Sequence, residues 1–177
     1  MPGPAVERAS ERDVPDAARI YNRYVRESTA TFHCRTIPND ELAKVLLREP
    51  PYGGFVARDD DGTLLGYLSL APFINRCAAR WSVELAMYLG PGACGRGLGS
   101  LLLETAEESA REHRLHTIVA VICSENAGSC RFFRRHGYRH CGSLEMVAQK
   151  FGRRLGVEYY QKILARPRLD EDDLDLP

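Results

Sequence analysis

The sequence predicts an α/β fold, a mixed α+β sandwich, and three observations carry the prediction. Residues 97–114 hold a helical period, with Leu98, Leu101, Leu102, Thr105, Ala106, Ser109 and Ala110 on one face and Glu104, Glu107, Glu108, Arg111 and Glu112 on the other. Thr117 to Cys123 is a continuous β-branched run, as expected of a strand buried on both faces. Two strand-like runs, Phe55 to Arg58 and Leu64 to Leu70, are joined by Asp59-Asp60-Asp61-Gly62, whose Asp-Gly ending signals a hairpin.

The remaining elements follow in chain order. Ala5 to Arg8 reads as a short edge strand before the turn-like Ser10 to Asp13. From Val14 to about Glu27, apolar residues at Val14, Ala17, Ala18, Tyr21, Tyr24 and Val25 line one helical face, with Asp13 as the expected N-cap and Pro15 in the first turn. Ser28 to Phe32 reads as loop. Pro38-Asn39-Asp40 opens a second short helix carrying Leu42, Val45 and Leu46, and Pro50-Pro51 ends it. A third strand is expected from about Arg80 to Leu89. After the buried strand, Asn126 to His136 reads as a helix stopped by Gly137. Tyr138 to Val147 and Val157 to Leu164 are strand candidates around a polar turn at Lys150 to Arg154. The expected organisation is a flexible leader over residues 1–4, one domain over 5–165, and a disordered acidic tail over 166–177.

Composition narrows the function. The 177 residues suit one domain with a sizeable core, and 44% apolar and 27% charged residues are ordinary for a soluble protein. No apolar run approaches the roughly 20 residues that span a bilayer. The start lacks a basic segment leading into an apolar stretch, so no export signal is expected. Six cysteines without a C-x-x-C pair argue against a disulfide framework and a structural zinc site, and suit reduced thiols in a cytoplasm; no metal is expected. Five of the 24 acids lie in the last eight residues, which leaves 19 against 24 basic groups in the body, about +5. That excess suits a small anion and is too weak to argue for nucleic acid.

The segment Val83 to Leu89 feeds Gly90-Pro-Gly-Ala-Cys-Gly-Arg-Gly-Leu-Gly-Ser100, and the long helix starts inside that run. Free N–H groups at a helix start, reinforced by its dipole, can hold a pyrophosphate, and glycines let a ligand approach the backbone. Ser100 offers a hydroxyl donor. A P-loop lacks its Lys-Ser/Thr here. Gly90 to Gly95 spells a dinucleotide fingerprint, but Pro91 lies inside it and the helix starts after it. A purely structural turn is the third reading.

Several ordered segments resemble the GNAT superfamily of N-acetyltransferases, within it the branch of phosphinothricin and methionine sulfone or sulfoximine acetyltransferases. They are Ile20 to Tyr24, Glu27 to Phe32, Arg76 to Glu84, Gly95 to Ser100, Val119 to Ile122, Asn126, and Gly137-Tyr138, spread over residues 7–164. The resemblance implies a mostly antiparallel central sheet, splayed at an acyl-CoA site and flanked by helices. It implies that Met87, Tyr88 and Leu89 pair through their main chain with the pantetheine of acetyl-CoA. Gly95, Arg96, Gly97, Leu98, Gly99 and Ser100 would hold the pyrophosphate, and Asn126 and Phe133 would contact the cofactor arm. Met87 and Leu89 also suit a core, and Asn126 a helix N-cap. A homodimer and a small-molecule amine acceptor are implied as well.

Attack on a thioester needs a neutral amine, so a base must take a proton from an ammonium of pKa about 8 to 10. Glu84 aligns with the family's glutamate, and strand alternation sets it on a different face from Leu85 and Met87. Glu27 is a second carboxylate beside the loop that resembles the substrate-facing one. Arg76 aligns with an arginine suited to grip a carboxylate, and Trp81 and Phe32 are candidate walls of the acceptor pocket. The chain departs from the pattern at Cys94 for Gln or Arg, Phe133 for a tyrosine or histidine that could protonate the leaving thiolate, Ala79 for tyrosine, Leu85 for serine and Gly156 for aspartate. A wider, less polar acceptor pocket is expected.

Overall fold

In the computed structural model, residues 4–164 are described; the rest of the expected leader and the acidic tail lie outside them. Seven strands form one sheet in the order β1-β2-β3-β4-β5-β7-β6. These are β1 (Ala5–Arg8), β2 (Gly53–Arg58), β3 (Leu64–Pro72), β4 (Ser82–Leu89), β5 (Thr117–Cys123), β6 (Arg139–Lys150) and β7 (Arg153–Ile163). The helices are α1 (Val14–Glu27), α2 (Asn39–Leu46), α3 (Leu98–Glu112) and α4 (Ala127–Arg135). All neighbouring strands are antiparallel except β4 and β5.

Strand alternation feeds two cores. Phe55, Leu68, Leu70, Val83 and Leu85 face Leu98, Leu102, Leu103 and Ala106 of α3 on one side. On the other side, Val56, Leu64 and Tyr67 pack with Ala17, Ile20 and Tyr21 of α1 and Leu42 and Leu46 of α2. Helix α1 spans the residues its period predicts because its apolar stripe meets that second face.

Three expectations need correction. Asp13 takes the expected N-cap position of α1, but its side chain makes no capping bond to that helix: its Oδ2 accepts from the Ser10 backbone N–H and hydroxyl at 2.7 Å each. Its other oxygen pairs with the Arg58 guanidinium, so this fully buried carboxylate closes a 3-10 turn over Glu11–Asp13 and ties it to β2. Glu107 is on the buried side of α3, 5% exposed, where Lys162 of β7 donates to it at 2.7 Å and Arg111 at 3.2 Å. The buried stripe of α3 is wider than the helical period predicts, because Lys162 of β7 reaches that flank and pairs with Glu107. The last hairpin is longer than expected, turning only at Phe151 and Gly152, both at positive φ. Its charged ends form strand because pairing continues through Gln149↔Arg154 and Lys150↔Arg153.

No helix among the described residues is long and apolar enough to cross a membrane.

Candidate active site

The parallel pairing of β4 with β5 covers only Ser82↔Thr117 to Leu85↔Ala120. Beyond it the strands part, while β3 pairs with β4 as far as Gly66↔Leu89 and β7 pairs with β5 as far as Val157↔Cys123. The strand order therefore leaves the main chain of Ala86 to Leu89 with one sheet neighbour instead of two. The opening is part of a cleft of about 820 Å³, within the range of small-ligand sites.

Glu84 lies in the last paired stretch of β4 and lines the cleft. Burial pushes its carboxyl above the ordinary carboxylate value of 4.5. A carboxylate so shifted is a better proton acceptor near neutrality than an exposed one. Met87, Tyr88 and Leu89 line the cleft as the alternation of β4 carries it past the gap. The Tyr24 hydroxyl donates to the Leu89 carbonyl at 2.8 Å, fixing the end of the strand.

Next comes the glycine turn. Gly95 and Gly97 both have φ of +79°, a region that other residues enter at a cost, and a Cβ at either would meet nothing within 4 Å. Open space therefore lies beside both, and α3 starts at Leu98, where the first N–H groups of a helix lack intrahelical partners. Gly95, Gly97, Gly99 and Ser100 line the cleft. These features fit a pyrophosphate. Arg96 points away to Asp59 at 3.6 Å, and Leu98 is in the core, 1% exposed.

Ser100 differs from the expectation of a free donor. His136 Nδ1 is 2.9 Å from the Phe132 carbonyl, an acceptor only, so in the neutral ring the hydrogen is on Nδ1. Nε2 then accepts from the Ser100 hydroxyl at 2.9 Å, which commits that hydrogen within the protein.

Asn126 is the N-cap of α4, accepting from the Ser129 backbone N–H at 3.1 Å, and it also lines the cleft. Phe133 lines the cleft and packs edge-on to Phe132 and Tyr138. Phe32 lines it too, 38% exposed. Three other predicted residues lie outside the lining. Glu27 is exposed and paired with Arg23 one helical turn back. Arg76 is exposed and donates to the Asn75 carbonyl at 2.7 Å. Trp81 stacks on His116 with Arg80 over its face. Gly156 is required sterically: a Cβ there would meet the Leu144 carbonyl at 2.7 Å, so an aspartate does not fit this register.

Sequence reasoning missed the roof of the cleft. Tyr21 Oη is 2.6 Å from both Thr31 Oγ1 and His33 Nδ1, and its ring meets Tyr88 edge-on at 4.9 Å. Burial raises the Tyr21 and Tyr88 hydroxyls, so both stay protonated. Lys150 Nζ donates to the Thr31 carbonyl at 2.8 Å, pinning the loop after α1 to the last hairpin. No period marks such a loop; the resemblance of Glu27 to Phe32 pointed to it, and Tyr21 and His33 went unread.

The model of the Acetyltransferase (GNAT) family matches residues 17–138. Phosphinothricin N-acetyltransferase of Streptomyces coelicolor is 37% identical over 93% of this chain and 100% of its own length. The L-methionine sulfoximine/L-methionine sulfone acetyltransferase of Pseudomonas aeruginosa is 33% identical over 89% of this chain and 92% of its own. A crystal structure of a phosphinothricin acetyltransferase from Sinorhizobium meliloti in complex with acetyl-CoA superposes with a TM-score of 0.86 at 25% identity, covering 95% of each chain. With more than half of the chain matched by the family model, and these likenesses running over almost its whole length, the protein belongs to the GNAT family of acetyltransferases.

Proposed function

We propose that this chain moves an acetyl group from acetyl-CoA directly to the primary amine of an amino acid or amino-acid-like small molecule. The observation that carries the reading is the β4/β5 gap, which opens between the Glu84 carboxylate and the positive-φ glycine turn.

Acetyl-CoA supplies the activated acyl thioester. The main chain of Met87 to Leu89, without a β5 partner, offers N–H and C=O groups to the amides of a pantetheine arm. The backbone of Gly95 to Ser100, at the positive end of α3, takes the pyrophosphate. Because the Ser100 hydroxyl serves His136, the backbone carries this contact. Asn126 Oδ1 is used as a cap, so its amide nitrogen is what it can give the ligand. Glu84 accepts a proton from the acceptor ammonium and leaves the amine free to attack. Phe133 holds no proton to give the departing thiolate; a thiol pKa of about 8.5 lets solvent supply it. A cytoplasmic location belongs to the same reading, supported by cysteines without a C-x-x-C pair, and a homodimeric state is what the family resemblance implies.

The test is thiol release from acetyl-CoA with purified protein and a panel of phosphinothricin, methionine sulfone, methionine sulfoximine, free amino acids and short peptides. Turnover of one or more free amino acids or analogues is expected. Acetyl-CoA binding without turnover of any of them, or turnover of peptides alone, would overturn the reading.

A further inference from the structure

We infer that Lys150 is a positioning residue for the acceptor amine, its buried ammonium fixing the loop of residues 29–37 in the cleft by holding the Thr31 carbonyl. The inference rests on the acceptor reading above and goes beyond it, since Lys150 is not among the described residues that line the cleft.

Residues 29–37 belong to no helix or strand, and among the described residues none of them takes part in a backbone–backbone hydrogen bond. Side chains therefore set where this segment lies. Asn22 of α1 holds one end through two bonds of 2.9 Å to the main chain of Ile37. Ser28 holds the other, its hydroxyl accepting from the Ala30 N–H at 3.2 Å. The centre, Ala30 to His33, lines the cleft, so the shape of the roof depends on what fixes Thr31.

Thr31 is 5% exposed and is held twice: its hydroxyl by Tyr21 of α1 at 2.6 Å, and its carbonyl by Lys150, 119 residues away, at 2.8 Å. The first contact ties the loop to the helix it leaves. The second ties it to the last residue of β6, on the hairpin that pairs with β5 through β7. A further link, Thr29 Oγ1 to Glu125 at 3.4 Å, is exposed and long, and holds the loop weakly.

Lys150 is itself 5% exposed, and its described partners are the Thr31 carbonyl and the face of the Phe151 ring at 5.1 Å, with no carboxylate among them. Burial accordingly draws its pKa below the ordinary 10.5. An ammonium taken out of water without a carboxylate costs stability, and an apolar side chain of similar length fills the same place without that cost. A charged donor does bind a carbonyl more strongly than a neutral one, and at a fixed place. Without it, Thr31 is held from α1 alone, and the roof residues, Phe32 included, lose their fixed setting in the cleft.

The experiment measures steady-state kinetics with an amino acid that turns over, beside thermal unfolding. Lys150→Met should raise KM for the acceptor roughly tenfold to a hundredfold, the range of a hydrogen bond to a charged group. Its kcat and its KM for acetyl-CoA should change by less than about threefold, and Tm should not fall. Lys150→Arg, which keeps a charged donor, should recover part of the loss. An unchanged acceptor KM overturns the inference. So does a Lys150→Met protein that fails to fold, or one whose Tm falls while both KM values rise together, since the lysine then serves the fold and not the acceptor. Each of these leaves the acetyl-transfer reading standing. Turnover of no amine by the wild-type protein overturns that reading and this inference with it.

Discussion

Gly66 offers a test of how the sheet positions the cofactor strand. It lies on β3 opposite Leu89 of β4. An alanine Cβ there would come within 2.6 Å of Leu89 Cδ2, 2.9 Å of the Tyr88 carbonyl oxygen and 3.1 Å of Leu89 Cα. The Leu89 side chain can rotate, but the two backbone atoms move only if β4 moves. To reach ordinary contact the Tyr88 carbonyl must retreat by about half an ångström. Overpacking of this kind costs about 1–3 kcal/mol, and for a domain of this size each kcal/mol lowers Tm by about 2–4 °C. The displaced stretch is the one proposed to hold pantetheine and the one Tyr24 anchors. Since a 1 Å misplacement can cost about a hundredfold in rate, Gly66→Ala should raise KM for acetyl-CoA by about tenfold. Thermal unfolding followed by circular dichroism, alongside initial rates against acetyl-CoA, gives both numbers. A lowered Tm with wild-type KM would refute the positioning role of β4, and wild-type values of both would refute the steric argument itself.

Glu84→Gln should lower kcat/KM by about 10²–10⁴ and abolish the acid limb of its pH profile, because the glutamate acts only when ionised. Burial raises the Glu84 pKa in the folded state, so its charge disfavours folding once pH rises through that pKa. Glu84→Gln should therefore be more stable than wild type above the ordinary carboxylate range, with the difference vanishing as pH falls below it; Tm against pH would show this. Gly97→Ala forces a Cβ into the left-handed region at φ +79° with no clash, so it should cost about 1–2 kcal/mol of backbone strain in urea unfolding and weaken acetyl-CoA binding in calorimetry. Lys162→Met leaves Glu107 buried on α3 with Arg111 as its remaining ion-pair partner, and urea unfolding should report a loss of about 2 kcal/mol or more with acetyl-CoA KM little changed.

What the sequence determined by itself was periodic or punctuated. The stripe of α1, the β-branched run of β5, the Asp-Gly hairpin and the strand-glycine-helix order could be read because period and turn chemistry are local properties. The Gly95–Ser100 turn was legible for the same reason, whereas Glu84 was reached through the family resemblance. The tertiary structure decided which side chains meet. It pairs β4 with β5 over four residues and then parts them, and it brings Lys162 of β7 to the buried Glu107 of α3. It turns the Ser100 hydroxyl to His136, 36 residues away, and draws the loop of Thr31 and His33 over the cleft through Tyr21 and Lys150. It leaves Arg76, Trp81 and Glu27 outside. These contacts join residues far apart in sequence, whose approach depends on the packing of whole elements, and no local pattern encodes that distance.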